Sequence, residues 1–203
     1  MESEAGGSAR AEAARRRAAR ETQIRSDHPK LGGLILALTD EPQHIRAWDT
    51  GAAGEERVGR ALDALPGVRT IHDRIVPGRQ QANLDHLVVT RSGLLIVDTK
   101  SYRGRIDVSA AKLRIAGRDQ TKLVTALQGQ VAALEAFVGA ALPVSGCLCF
   151  VKGDFTLIAP SKCQGVRVIG MKGLTRLVKK MSNDDATNVD AVAAWLDANL
   201  RAS

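Results

Sequence analysis

Hydrophobic positions along the chain repeat first with a helical period and then with a strand period. Over residues 51–65, Glu55, Val58, Leu62 and Leu65 fall at spacings of 3, 4 and 3, which is one face of a helix. Pro66-Gly67 stops it. Extended runs follow at 68–76, 84–90 and 94–100, with Arg91-Ser92-Gly93 as a tight turn between the second and third. Residues 105–108 and 112–116 pattern as a smaller hairpin. A helix over 122–141 carries Leu123, Leu127, Val131, Leu134 and Val138 on one face. Runs at 144–151, 155–159 and 166–169 return to strand, and 174–181 and 189–200 close the chain as helices. Helix, three strands, helix, strand is an α/β order built on one central sheet.

The segment before this pattern reads differently. Residues 1–30 are rich in Ala, Arg and Glu and have no large apolar residue between Met1 and Ile24. They form a charged tail, helical or disordered, without a face to bury, so their deletion is expected to leave the melting temperature nearly unchanged. A short apolar patch follows at 31–38, closed by Asp40-Glu41-Pro42; residues 31–44 form an edge segment. The folded domain is placed at 45–203.

Composition narrows the partners. The chain has 203 residues, 29 Lys plus Arg against 22 Asp plus Glu and a net charge of +7, which favours polyanions. No apolar run reaches the roughly 18 residues of a membrane helix, and no apolar leader follows Met1, so the expected compartment is the cytoplasm. Six aromatics are too few for a surface that stacks successive bases. Cys147 and Cys149 stand two apart on an apolar run and share a face if it is a strand. With Cys163 they read as small buried hydrophobes in a reducing compartment. There is no Cys-x-x-Cys pair, and four scattered histidines give no zinc site.

Candidate chemistry lies in the stretch 83–100. Residues 94–97 are apolar throughout, as in a strand covered on both faces, and they run into Asp98 and Lys100, whose side chains share one face. A two-residue turn at Arg91-Ser92 sets Asp85 opposite Asp98. A three-residue loop with a bulge at Gly93 shifts the register by one and sends Asp85 to the other face. In the first register two carboxylates stand about 5 Å apart and repel; a divalent cation relieves them, and hard oxygen ligands suit Mg²⁺ or Mn²⁺. Otherwise Asp98 and Lys100 are a solvated strand end with a weak ion pair. Glu55 is the odd residue on the inward helix face: it either approaches the strand carboxylates or sits in an exposed first turn, where negative charge suits the helix dipole. His86 reads as a packing or supporting residue.

Three blocks in order, Gly51-x-x-Gly54-Glu55, Asn83-Leu84-Asp85-His86 and Val97-Asp98-Thr99-Lys100-Ser101-Tyr102-Arg103-Gly104-Arg105, resemble the nuclease-related domain family over about residues 50 to 140. That family lies in the restriction-endonuclease-like PD-(D/E)xK superfamily. The resemblance implies a mixed sheet flanked by helices, with an αβββαβ core. It also implies a metal-dependent nuclease in which Asp85 and Asp98 hold Mg²⁺ or Mn²⁺, Lys100 is the catalytic lysine, and Glu55 is the acid of the first helix. Gln130, in Gly129-Gln130-Val131, matches the glutamine often found on the following helix better than Gln128 does. Leu84 stands where the superfamily's name has proline.

Positive charge concentrates in two blocks. Residues 91–122 hold eight Lys or Arg against three Asp, and residues 161–180 hold six with no acid. Lys172, Arg176 and Lys179 fall towards one side of a short helix, and Arg103 and Arg105 follow Lys100 directly. These five are the expected contacts to a nucleic-acid backbone, taken to be DNA. The rival reading is a nuclease-like module that binds nucleic acid or a protein and cuts nothing.

Overall fold

The computed structural model describes residues 5–29, 31, 33, 35–36, 39, 43–79, 82–140, 142–155, 161–183 and 187–203. Five helices lie among them: α1 (Gly7–Asp27), α2 (Gln43–Asp63), α3 (Thr121–Val138), α4 (Met171–Met181) and α5 (Val189–Asn199). The main sheet is mixed and six-stranded. Its spatial order is β1 (Arg69–Ile75), β2 (Asn83–Thr90), β3 (Gly93–Lys100), β7 (Val144–Phe150), β10 (Val166–Gly170) and β9 (Lys162–Cys163). A small sheet joins β6 (Arg118–Asp119), β5 (Leu113–Ile115), β4 (Arg105–Val108) and β8 (Asp154–Phe155). The sequence α2-β1-β2-β3-α3-β7 is the order expected for a restriction-endonuclease-like core.

Strand alternation builds two hydrophobic layers. Val88, Leu95, Val97, Cys147 and Cys149 pack with Val58 and Leu62 of α2 and Leu174 and Val178 of α4. Leu87, Val89, Leu94, Ile96 and Leu148 pack on the other face with Val124, Leu127 and Leu134 of α3, Leu196 of α5, and Cys163. All three thiols are free and buried. Because β3, β7 and β10 are parallel, their ends are level: Lys100 lies opposite Phe150, and Phe150 opposite Gly170. Such a shared carboxyl end is where open α/β sheets place their chemistry.

The hairpin register is settled by Thr90 pairing with Gly93 and His86 with Val97, which makes Arg91-Ser92 a two-residue turn. Gly93 has φ 117°, and a side chain there would run into the Pro143 carbonyl. Only glycine combines that angle with that approach.

Four features depart from the sequence reading. Helix α2 starts at Gln43 rather than 51, so Gly51 and Gly54 are interior; Ser101 Oγ occupies the space a Cβ at Gly54 would take, so a side chain there would force that hydroxyl to turn. Helix α4 starts at Met171 and α3 ends at Val138. Of the run expected at 155–159, Phe155 is strand and the rest lies outside the described residues, while the short β9 was not expected. Finally, the N-terminal segment does bury a face. Ala9 and Ala13 are buried, and Ser8 donates to Asp73 through its backbone N–H at 2.6 Å and its hydroxyl at 2.7 Å. Ile24 and Leu31, the large apolar residues, are not the anchors: Ile24 is half-buried and Leu31 exposed. Small residues let α1 lie close to α2, a signal that a search for large apolar residues misses.

Candidate active site

The candidate site forms where the β1–β2–β3 ladder becomes irregular. On β3, Asp98 is buried at 8% exposure, and Lys100 Nζ bonds its Oδ1. Backbone pairing of β2 with β3 runs as far as His86 and Val97. Beyond it the Asp85 side chain takes the place of a backbone acceptor: its Oδ2 accepts from the Thr99 N–H at 2.8 Å. On β1, the pairing with β2 passes from His72–His86 to Arg74–Leu84. Asp73, between them, has φ 52°, a conformation Asp tolerates better than most residues.

Four ionisable groups here share one electrostatic field. Asp85 is raised well above the ordinary carboxylate range, first by burial and then by the Asp98 charge, with Glu55 adding and Lys100 opposing. Glu55, on α2, is raised to about 7 by burial, then by Asp73, with Asp98 and Glu56 adding and Lys100 opposing. Burial alone would lower the Lys100 ammonium's pKa; Asp98 and Asp85 more than offset it, and the result lies above the usual lysine value. Asp85, Asp98, Lys100 and Glu55 are therefore brought into one neighbourhood, though only Lys100 and Asp98 share a direct side-chain bond among them. Because α2 begins so early, Glu55 lies well inside the helix and not in a first turn.

Other candidates lie further out. Gln130 Nε2 donates to the Asn83 carbonyl at 3.2 Å, and its buried Oε1 has no partner among the described residues. Gln128 instead donates to the Gln164 carbonyl at 2.9 Å. Lys172, Arg176 and Lys179 are exposed on α4 above buried Leu174 and Val178. Arg103 is exposed, and Arg105 is exposed in an ion pair with Asp107 at 2.6 Å. His86 is fully buried and pushed down to about 3 by burial and by His72. Asp73 was missed by sequence reasoning. Its signal was the polar triplet His72-Asp73-Arg74, flanked by Ile71 and Ile75 inside an extended run; the structure buries all three.

The donor set is chemically apt for a hard dication: carboxylates crowded in protein, with burial and their mutual repulsion raising Asp85 and Glu55 above the usual carboxylate range. Their spatial arrangement is less complete. Among the described residues no three His, Cys, Asp or Glu side chains stand together as a ligand group, and Lys100 neutralises Asp98.

The raised acids set the sign of a pH effect. Between about 4.5 and about 7 the folded chain keeps on Glu55 a proton that the unfolded chain has released. The folded state binds more protons, so this contribution to stability falls as pH rises through that window and is lost above it. Thermal melts in EDTA should show Glu55→Gln gaining stability over wild type as pH rises from about 4.5 to about 7. A pH-independent difference between the two proteins would contradict the assignment.

A family model described as the nuclease-related domain matches residues 50–151. No curated protein and no solved structure matches the chain. No helix among the described residues is long and apolar enough to cross a membrane.

Proposed function

Because the chain belongs to the nuclease-related domain family, we propose that it is a metal-dependent nuclease that hydrolyses phosphodiester bonds in DNA. The observation that carries this reading is the neighbourhood of Asp85, Asp98 and Lys100 at the start of β2 and the end of β3, with Glu55 within their field. Asp85 and Asp98 would hold Mg²⁺ or Mn²⁺, and Glu55 would complete the carboxylate set. When bound, such a metal lowers the pKa of a water and stabilises charge on the phosphate. Lys100 stays protonated at neutral pH, since its neighbours hold its pKa above the usual value. It therefore acts as a cation and hydrogen-bond donor to the attacking water or to the developing negative charge, and not as a base.

The surroundings suit a polyanion. Arg103 and Arg105 leave the site on the chain after Lys100. Helix α4 starts just after Gly170, level with Lys100 across Phe150, and exposes Lys172, Arg176 and Lys179. Backbone contacts of this kind fix position without reading sequence. Neutralising those three α4 residues should weaken DNA binding and reduce the salt slope by up to about three units, leaving turnover at saturating DNA little changed. An unaltered slope would remove α4 from the interface.

One observation favours a second reading. Among the described residues no three His, Cys, Asp or Glu side chains stand together as a ligand group, which suits a nuclease-like module that binds nucleic acid or a protein partner without cutting. Purified protein should degrade or nick DNA in Mg²⁺ or Mn²⁺ and stop in EDTA, with RNA as comparator. Binding without metal-dependent cleavage of any single- or double-stranded form would give the second reading the case.

A further inference from the structure

A chain of polar contacts runs beneath α2 to the candidate site and has no part in the chemistry described so far. His72 Nε2 meets the Asp63 carboxylate at 3.1 Å, and His72 Nδ1 meets His86 Nδ1 at 2.9 Å. His86 Nε2 lies 3.2 Å from Thr99 Oγ1, and the Thr99 backbone N–H donates to Asp85 Oδ2 at 2.8 Å. Gly59 of α2 lies over both imidazoles: a Cβ there would stand 2.7 Å from Ala5 Cβ, 3.3 Å from His72 Cε1 and 3.6 Å from His86 Cε1. The helix thus gives up a side chain where Ala5 closes on it, and the rings lie in contact beneath.

With both rings neutral, one arrangement of protons satisfies every contact. Asp63 can only accept, so His72 carries its proton on Nε2 and Nδ1 accepts. His86 then carries its proton on Nδ1, and its Nε2 accepts from the Thr99 hydroxyl. Every side-chain donor points towards Asp63, and Thr99 is gripped twice. Its hydroxyl is fixed by His86 on the α2 side of β3, and its N–H is spent on Asp85. Thr99 lies between Asp98 and Lys100, so the grip sets three functional groups at once. A buried polar network of this kind is costly unless fully satisfied, and an apolar pair in place of His72 and His86 would avoid that cost.

We propose that His86, backed by His72 and Asp63, is a positioning residue that acts through Thr99 to hold Asp85 and Asp98 in their metal-binding orientation. This rests on the reading of Asp85 and Asp98 as metal ligands. Supporting residues around a metal typically change its affinity roughly 10- to 100-fold. Thr99→Val keeps the shape and removes the hydroxyl, Thr99→Ser keeps the hydroxyl, and His86→Leu removes the acceptor.

Two measurements test the proposal on the full chain. The first is calorimetric titration with Mn²⁺: Thr99→Val and His86→Leu should bind at least about ten-fold more weakly, and Thr99→Ser should retain the wild-type affinity. The second, in EDTA, is hydrogen exchange at the residue-99 amide, which should be at least about ten-fold faster in Thr99→Val and His86→Leu than in wild type. Thr99→Val decides the matter if His86→Leu fails to fold. A folded Thr99→Val with wild-type amide protection, or with wild-type Mn²⁺ affinity, overturns the positioning role. Wild-type protein that binds no Mn²⁺, while the variants still lose amide protection, would overturn the metal reading and leave the grip on Asp85 standing.

Discussion

Asp98→Asn should abolish DNA cleavage while the protein stays folded and still binds DNA. The substitution changes almost no volume, so the packing of β3 against β7 survives. It removes the charge that, after burial, does most to raise the Asp85 carboxyl, and it removes the ion-pair partner of Lys100. A metal site built on two strand carboxylates loses half its charge. Lys100→Ala should lower turnover by about 10²–10³-fold, the usual effect of deleting one donor aimed at transition-state charge. DNA binding should persist, because the phosphate contacts proposed for Arg103, Arg105 and α4 are untouched. Equal turnover in wild type and Lys100→Ala would mean a contaminating nuclease or a site placed on the wrong residues.

Removing residues 1–27 should lower the melting temperature by roughly 5–15 °C. The deletion strips two hydrogen bonds from Asp73, a carboxylate at 5% exposure. It also uncovers the strip of α2 under Ala9 and Ala13, where Gly6 approaches the Ala52 carbonyl too closely for any side chain. Water reaches Asp73 once the helix that covers it is gone, so the loss comes from the two bonds and the uncovered α2 strip together. Ser8→Ala removes only the hydroxyl contact, and its effect should be about 1 kcal/mol. An unchanged melting temperature in the truncated protein would restore the view of the segment as a passive tail.

What could be read from the sequence followed from periodicity, and what could not followed from local exceptions to it. Three strands, the long helix α3 and the basic face of α4 all repeat with the period of their element, and each is found, with the end of α3 and the start of α4 shifted by three residues. The start of α2 was hidden because Gly51 and Gly54 look like helix breakers; the side chain that packs into the space over Gly54 is Ser101, 47 positions away in the chain. The neighbourhood of Asp85 and Asp98 depended on one turn, and the sequence left two registers open; the approach of Pro143 to Gly93 comes from a distant loop. The polar triplet around Asp73 was visible, but its role was not, because that depends on an N-terminal helix that docks through alanines and a serine.

The three buried thiols offer the molecule's own markers of partial opening. Cys147 and Cys149 belong to the layer under α2 and α4, and Cys163 to the layer under α3. Burial raises the first well above the usual thiol range and the second to about 12, so neither forms thiolate in the closed fold. A thiol reagent must wait for each layer to lift. When α4 lifts from the sheet in a local opening, Cys147 and Cys149 become reactive on the timescale of that opening while Cys163, in the other layer, reports its own, and the two faces of the sheet can be timed separately in one unmodified chain.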